Sequence, residues 1–183
     1  MAGRCAGPER LTLGGDDAPL IEPMTAEDWP EVRRVYEQGM ASGDATFETK
    51  APDWHRFDTA HRPDCRLVAR LNGRVVGWVA LAPYSRRTVY RGVAWESVYV
   101  AADVRGRGIG QALLAAVVEA SEAAGIWTLM AGVMAENAAS LSVHERAGFR
   151  RIGVQERVGL DREGHWRDVV LMERRSPTVR SPA

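Results

Sequence analysis

The chain has 183 residues, 45% of them apolar and 26% charged, which is length and apolar content enough for one domain with its own core. Its 24 basic and 24 acidic side chains cancel, so no overall field draws it to nucleic acid or an anionic membrane, and any anion binding must be local. No apolar run approaches the ~18 residues of a membrane span, the N-terminus lacks a signal peptide's apolar core, and two cysteines, Cys5 and Cys65, suit a reducing compartment; a soluble, cytoplasmic protein is expected.

Residues 1–18 are rich in Gly, Pro, Arg and Asp without periodicity and read as a disordered arm; residues 174–183 read as a flexible tail. One α/β domain is expected between them, over 19–173. Leu20 to Met24 is a short strand. Thr25, with Asp28 three residues on, opens a helix in the manner of a capping box. Its buried stripe is Trp29, Val32, Tyr36 and Met40, and Gly39 and Gly43 end it. Residues 52–61 suit a short helix. Arg66 to Leu71, Asn72-Gly73, then Arg74 to Leu81 form a hairpin with a type I′ turn. An arginine-rich loop, 83–92, leads to a strand over Val93 to Val100. A helix over 107–124 follows, with Ile109, Ala112, Leu113, Ala116, Val117 and Ala120 on one face. Trp127 to Met134 is a strand, Ala138 to Ala147 a helix ended by Gly148, and 150–160 and 165–172 are the last two strands.

The stretch that joins the fourth strand to its helix carries the first chemical signal. Gly106, Gly108 and Gly110 alternate with Arg107 and Ile109, and Arg105 stands before them. Consecutive N–H groups can converge there at the positive end of the helix dipole, a way of holding a phosphate or pyrophosphate. No Walker ending follows, and the spacing is not G-x-G-x-x-G. The pattern R-x-x-G-x-G, at Arg105, Gly108 and Gly110, resembles the acyl-CoA pyrophosphate loop of the GNAT superfamily of N-acyltransferases.

A second motif runs from Asn137 to Phe149. Asn137, Ser140 and His144 fall at i, i+3 and i+7, on one helix face. It resembles the second GNAT motif, in which the asparagine contacts pantetheine and a tyrosine protonates the departing sulfur. His144 stands in that tyrosine's place, and a histidine can do the same work. The element order matches the GNAT fold, a mixed, mostly antiparallel seven-stranded sheet flanked by helices. The resemblance implies acetyl-CoA as cosubstrate, held by Arg105 to Gly110, Asn137, Ser140 and backbone groups of Val98, Tyr99 and Val100 where the sheet splays apart. No metal is expected, since no metal cluster is evident and the four histidines are too scattered to suggest one.

Finer similarity lies in Gly43 to Thr49, Gly77 to Ala80, Ser97 to Val100, Ala135 to Ser140 and Gly164 to Val170. These segments resemble the phosphinothricin and methionine sulfoximine N-acetyltransferases, over about residues 20–173. The resemblance implies an acceptor that is the α-amine of a glutamate-like amino acid or a toxic analogue, arsinothricin among them. Phe47 would line its pocket, and Arg87 and Tyr90 would hold its carboxylate or tetrahedral head, a task that suits a guanidinium fork. Family members commonly pair as homodimers.

One position departs from the pattern. The general-base glutamate of the family falls at Trp95 here, and the nearby carboxylate is Glu96. Side chains alternate along a strand, so Glu96 should face the other way. Three readings stand open: a β-bulge restores Glu96 to the site; Glu48 or another group relays the proton through water; or there is no dedicated base and Glu96 is a paired structural carboxylate. If Trp95 faces the pocket it narrows the amino-acid site. The expected function is therefore N-acetylation of a free amino acid or analogue. Acetylation of another amine (a peptide N-terminus, polyamine or antibiotic) and a non-catalytic CoA-binding module are the alternatives.

Overall fold

The computed structural model describes residues 18–179. Cys5 and the predicted arm, but for residue 18, lie outside them, as do residues 180–183 of the predicted tail. Seven strands form one sheet in the order β1-β2-β3-β4-β5-β7-β6. In sequence they are β1 (Leu20–Pro23), β2 (Arg66–Leu71), β3 (Arg74–Pro83), β4 (Val93–Val100), β5 (Thr128–Met134), β6 (Arg150–Leu160) and β7 (Trp166–Arg175). The helices are α1 (Trp29–Ala41) and α2 (Trp54–Ala60), both before β2, α3 (Ile109–Ala123) between β4 and β5, and α4 (Ala138–Arg146) between β5 and β6. Every strand pairing is antiparallel except that of β4 with β5.

The central strand β3 is buried on both sides, which is why it reads as a nearly continuous apolar run. On one face Trp78 stacks on Tyr99 at 4.6 Å and meets Tyr36 and Phe57 edge-on, with the first two helices above it. On the other, Gly77 lies so close to α3 that a Cβ would stand 2.9 Å from Leu113. Truncating the fully buried Trp78 to alanine would cost about 3–5 kcal/mol. The hairpin turn is as expected, with Asn72 and Gly73 at φ 51° and 78°. Cys65 is buried in the core, and burial above all pushes its thiol up to about 12, so it stays protonated and inert.

Four elements differ in detail from the sequence reading. A single 3₁₀ turn, Ala26–Asp28, precedes α1; the Asp28 carboxylate accepts from Thr25 N at 2.9 Å and from Thr25 Oγ1 at 3.2 Å, and it also receives Arg70. The buried stripe of α1 includes Val35 as well as Trp29, Val32 and Met40, with Tyr36 only half-buried. Gly39 does not stop the helix. It sits inside α1, where a Cβ would come within 2.5 Å of the Tyr99 ring, so its need is for close approach. Gly43, at φ 79°, lies just beyond the end of α1. Helix α3 begins at Ile109, two residues later than expected, because Gly108 caps it at φ 80°. Strand β7 runs through Arg175, so the segment predicted as a tail from residue 174 starts inside the sheet, where Arg174 pairs with Glu122. Among the described residues no helix is long and apolar enough to cross a membrane.

Candidate active site

Strands β4 and β5 pair only from Val93↔Thr128 to Trp95↔Met130. Beyond that the parallel pair separates, and the β5-facing backbone of residues 96–100 has no strand partner among the described residues. The opening contains a cavity of about 80 Å³, lined among others by Asp44, Glu96, Tyr99, Asn137, Ser140 and His144. Buried backbone groups without partners are costly, so a notch of this kind suits a ligand that brings its own amides.

Glu96 and His144 sit at the base of the notch, 6% and 2% exposed. His144 Nε2 is 2.9 Å from Glu96 Oε2, and His144 Nδ1 is 2.8 Å from the Ser140 carbonyl oxygen. A carbonyl only accepts, so Nδ1 carries a hydrogen, and a further proton lies between Nε2 and Oε2. Burial alone would pull the imidazole below its ordinary 6.5, but the Glu96 carboxylate, by hydrogen bond and charge, and the Ser140 carbonyl together raise it. Glu96 lines the cavity, and its Oε1 is buried with no partner among the described residues, which leaves it a free acceptor.

The bulge that would bring Glu96 round is not there. The β3–β4 register is unbroken from Gly77↔Val100 to Pro83↔Ala94. Glu96 therefore faces α4, opposite to Trp95, as strand alternation requires. It reaches the cavity from that face because the strands have parted beside it.

Trp95 does not face the cavity. It stacks on Tyr84 at 5.7 Å, Tyr84 meets Tyr90 edge-on at 5.3 Å, and the Arg87 guanidinium lies 5.7 Å over Tyr90. Trp95, Tyr90 and Arg87 thus come together, on the other face of the strand. Phe47 lies on Gly159 of β6, where a Cβ would be 2.8 Å from its ring. Glu48 stands near Tyr36, whose hydroxyl is raised first by burial and then by the Glu48 charge. None of Phe47, Glu48, Arg87, Tyr90 and Trp95 lines the 80 Å³ cavity.

On the cofactor side, Gly106 and Gly108 hold φ 78° and 80°, which other residues rarely adopt, and no atom lies within 4 Å of where either Cβ would be. The loop's outer side is open. Gly110 differs: a Cβ there would make ordinary contact with Val100 and Val143 at 3.6 and 3.7 Å, so alanine would fit. Ile109 is buried under the loop and anchors it to the core. Arg105 Nε donates to the Val100 carbonyl at 3.4 Å, and Arg107 lines a separate cavity of about 270 Å³ with Asn72, Arg74 and Val104. Val98 and Tyr99 border the notch, whereas the Tyr99 ring is packed under α1 and burial pushes its hydroxyl well up. Asn137 caps α4, its Oδ1 accepting from Ser140 N at 3.0 Å, while its Nδ2 donates to the Asp44 carbonyl at 3.0 Å. Its side chain is engaged by the protein at both ends. Among the described residues no group of three or more His, Cys, Asp or Glu could hold a metal ion.

Sequence reasoning missed Asp44 and Ala45 as cavity walls, and the arginine that holds them. Arg167 NH2 donates to Asp44 Oδ1 at 2.6 Å across 123 residues. No local pattern announces a pair so far apart.

Comparison with known proteins gives concordant findings. The model of the Acetyltransferase (GNAT) family matches residues 26–149, more than half of the chain. A phosphinothricin N-acetyltransferase of Alcaligenes faecalis is 34% identical over 165 residues, covering 84% of this chain and 81% of its own. An L-methionine sulfoximine/L-methionine sulfone acetyltransferase of Pseudomonas paraeruginosa is 35% identical over 169 residues, 88% of this chain and 96% of its own. The crystal structure of a phosphinothricin acetyltransferase from Sinorhizobium meliloti in complex with acetyl-CoA superposes with a TM-score of 0.78 at 27% identity, covering 86% of this chain and 88% of that one.

Proposed function

Because the chain belongs to the acetyltransferase (GNAT) family, we propose that it moves the acetyl group of acetyl-CoA to the α-amine of a free amino acid or a glutamate-like analogue of the phosphinothricin, methionine sulfoximine or arsinothricin type. The observation that carries this reading is a buried carboxylate–imidazole pair with one free oxygen, Glu96 Oε1, set in the notch between the parted strands. The acceptor class is drawn from the two relatives above.

The residues present fit acetyl-CoA. Gly106 to Gly110 would hold its diphosphate, with Arg105 and Arg107 near, and the backbone of Val98 to Val100 would meet the pantetheine amides. Asn137 and Ser140 border the same channel. When bound it supplies an activated acetyl thioester.

The chain's part is to move one proton. Glu96 Oε1 accepts a proton from the attacking nitrogen as the N–C bond forms, and the same carboxyl returns it to sulfur as the C–S bond breaks. His144 donates through Nε2 to Oε2, holds the carboxylate in place and balances its charge. It therefore serves the sulfur through Glu96, because its own Nε2 is already spent on that contact. Unpaired β4 amides are the donors available to the reacting carbonyl oxygen. Such general acid–base assistance contributes roughly 10²–10⁴ in rate.

The same reading makes the protein a cytoplasmic agent of resistance to toxic glutamate analogues, working as a homodimer. Strand β6 supports the dimer: it is one of the sheet's two edges, the other being β1, and Ile152, Val154, Val158 and Leu160 are exposed along it. Sedimentation of the purified chain tests this, and a monomer at micromolar concentration would refute it. For the activity, CoA thiol release is followed with a panel of free amino acids, phosphinothricin, methionine sulfoximine and arsinothricin. Release that depends on one of these amines is expected. Thermal stabilisation by CoA without release would mean a binding module instead.

A further inference from the structure

Arg167 lies in β7, outside the cavity lining, yet its guanidinium ties the two segments that carry the lining residues Asp44 and Asn137 to the β6–β7 turn. NH2 donates to Asp44 Oδ1 at 2.6 Å and to Glu136 Oε2 at 3.1 Å; NH1 donates to the Gly43 carbonyl at 3.2 Å and to Asp161 Oδ2 at 3.5 Å. These acceptors belong to the loop after α1, the β5–α4 connection and the β6–β7 turn. The side chain is only 13% exposed, so solvent screens these contacts less than it would a surface ion pair. Asp161 is itself fixed, accepting from Glu163 N at 3.0 Å and His165 N at 2.9 Å.

The Asp44–Ala45 wall is held at two further points. Asn137 Nδ2 binds the Asp44 carbonyl, and the Tyr99 hydroxyl donates to the Ala45 carbonyl at 3.4 Å. Asn137 and Tyr99 line the cavity themselves; Arg167 acts on the wall from behind. Three carboxylates, Asp44, Glu136 and Asp161, converge on this one fork. Without it they repel one another, and the half-exposed Asp44 and Glu136 are freer to swing away than Asp161, whose side chain is 17% exposed.

We propose that Arg167 is a positioning residue that fixes the Asp44–Ala45 wall and thereby sets how tightly the acceptor amine is held. This rests on the acetyltransferase reading for its consequence, not for its geometry. The wall borders the notch on the side of the loop after α1, whereas the glycine loop for the diphosphate lies at the N-terminus of α3. The wall shares Asn137 with the acetyl-CoA channel but is remote from the diphosphate loop, so loss of the clamp should fall more heavily on the amine than on acetyl-CoA.

Arg167→Lys keeps the charge and loses the fork. Relative to wild type we expect KM for the amine to rise about tenfold, in line with one charged hydrogen bond, with KM for acetyl-CoA and kcat changed less than about threefold. Amide exchange at residues 43–46, measured without substrates, should speed up in the same variant. Asp44→Asn, at a half-exposed carboxylate that leaves the core untouched, should reproduce the faster exchange and part of the KM rise even if Arg167→Lys folds poorly. Unchanged exchange in both variants overturns the proposal, as does an equal shift in both KM values. Failure of the wild-type chain to release thiol with any amine would instead sink the acetyltransferase reading, and the exchange data would still judge the clamp.

Discussion

Neighbours on one strand, Glu96 and Trp95, lead to opposite regions of the molecule. Glu96 is buried at the cavity, is bound by one imidazole and keeps one oxygen without a partner among the described residues. Trp95 enters a half-exposed stack with Tyr84, Tyr90 and Arg87, where rings and a cation lie against one another and hydrogen-bond demand is low. In the reading proposed above, the first region would serve proton chemistry, because low dielectric makes every contact of a charge count. The second would be a surface for recognition by shape and charge. Without any bulge, one step along the strand puts the carboxylate on the face opposite Trp95, where His144 of α4 meets it.

If that division is right, damage to the two regions should look different in kinetics. The largest effect is expected from Glu96→Gln, which keeps the shape and removes the proton acceptor: kcat should fall about 10³-fold with little change in either KM. A loss under about fivefold would mean that the carboxylate is structural and that bulk water or Glu48 takes the proton. His144→Ala should cost less, about 10²-fold in kcat, because Glu96 Oε1 survives although unsteadied. An equal or greater loss would return the direct acid role to the histidine. On the other face, Arg87→Ala should raise KM for the amine by about tenfold or less and leave kcat within about twofold, the mark of binding shared by ground and transition states. If Arg87→Ala struck kcat as hard as Glu96→Gln, the two faces would not be separate in function.

Much of this arrangement was legible in the sequence, and the limit has a physical cause. β4 and β6 were readable to the residue, and α4 nearly so, because each is bounded by residues that punctuate the chain: Gly92, Asn137 and Gly148. The opposition of Glu96 and Trp95 followed from strand alternation alone, and the unbroken register bears it out. Gly39 was misleading because its use is tertiary: it is small for the sake of a ring 60 residues away in β4, and a helix tolerates that at modest cost. The contact of Glu96 with His144, 48 residues apart, and that of Arg167 with Asp44, 123 apart, leave no periodic trace. Position in a motif suggested a role for His144; only the fold shows that its proton points at Glu96 and not into open channel.

The smallest expected effect tests the buried region without any substrate. His144 is raised above its ordinary 6.5 in the folded protein, chiefly by the Glu96 carboxylate working against burial, so folding takes up a proton there. Its pairing then stabilises the fold in full below about 6.5, and that contribution fades as pH climbs through the higher folded value, where the proton is lost from folded and unfolded chains alike. His144→Gln can still donate to Glu96 but does not titrate. Urea unfolding of both proteins across pH 5 to 9 should therefore show wild type ahead by a margin that narrows as pH rises, with other titrating groups cancelling between the two. A margin that widened with pH would mean that the imidazole is held neutral in the folded state, and the proton between Nε2 and Oε2 would then belong to the carboxyl.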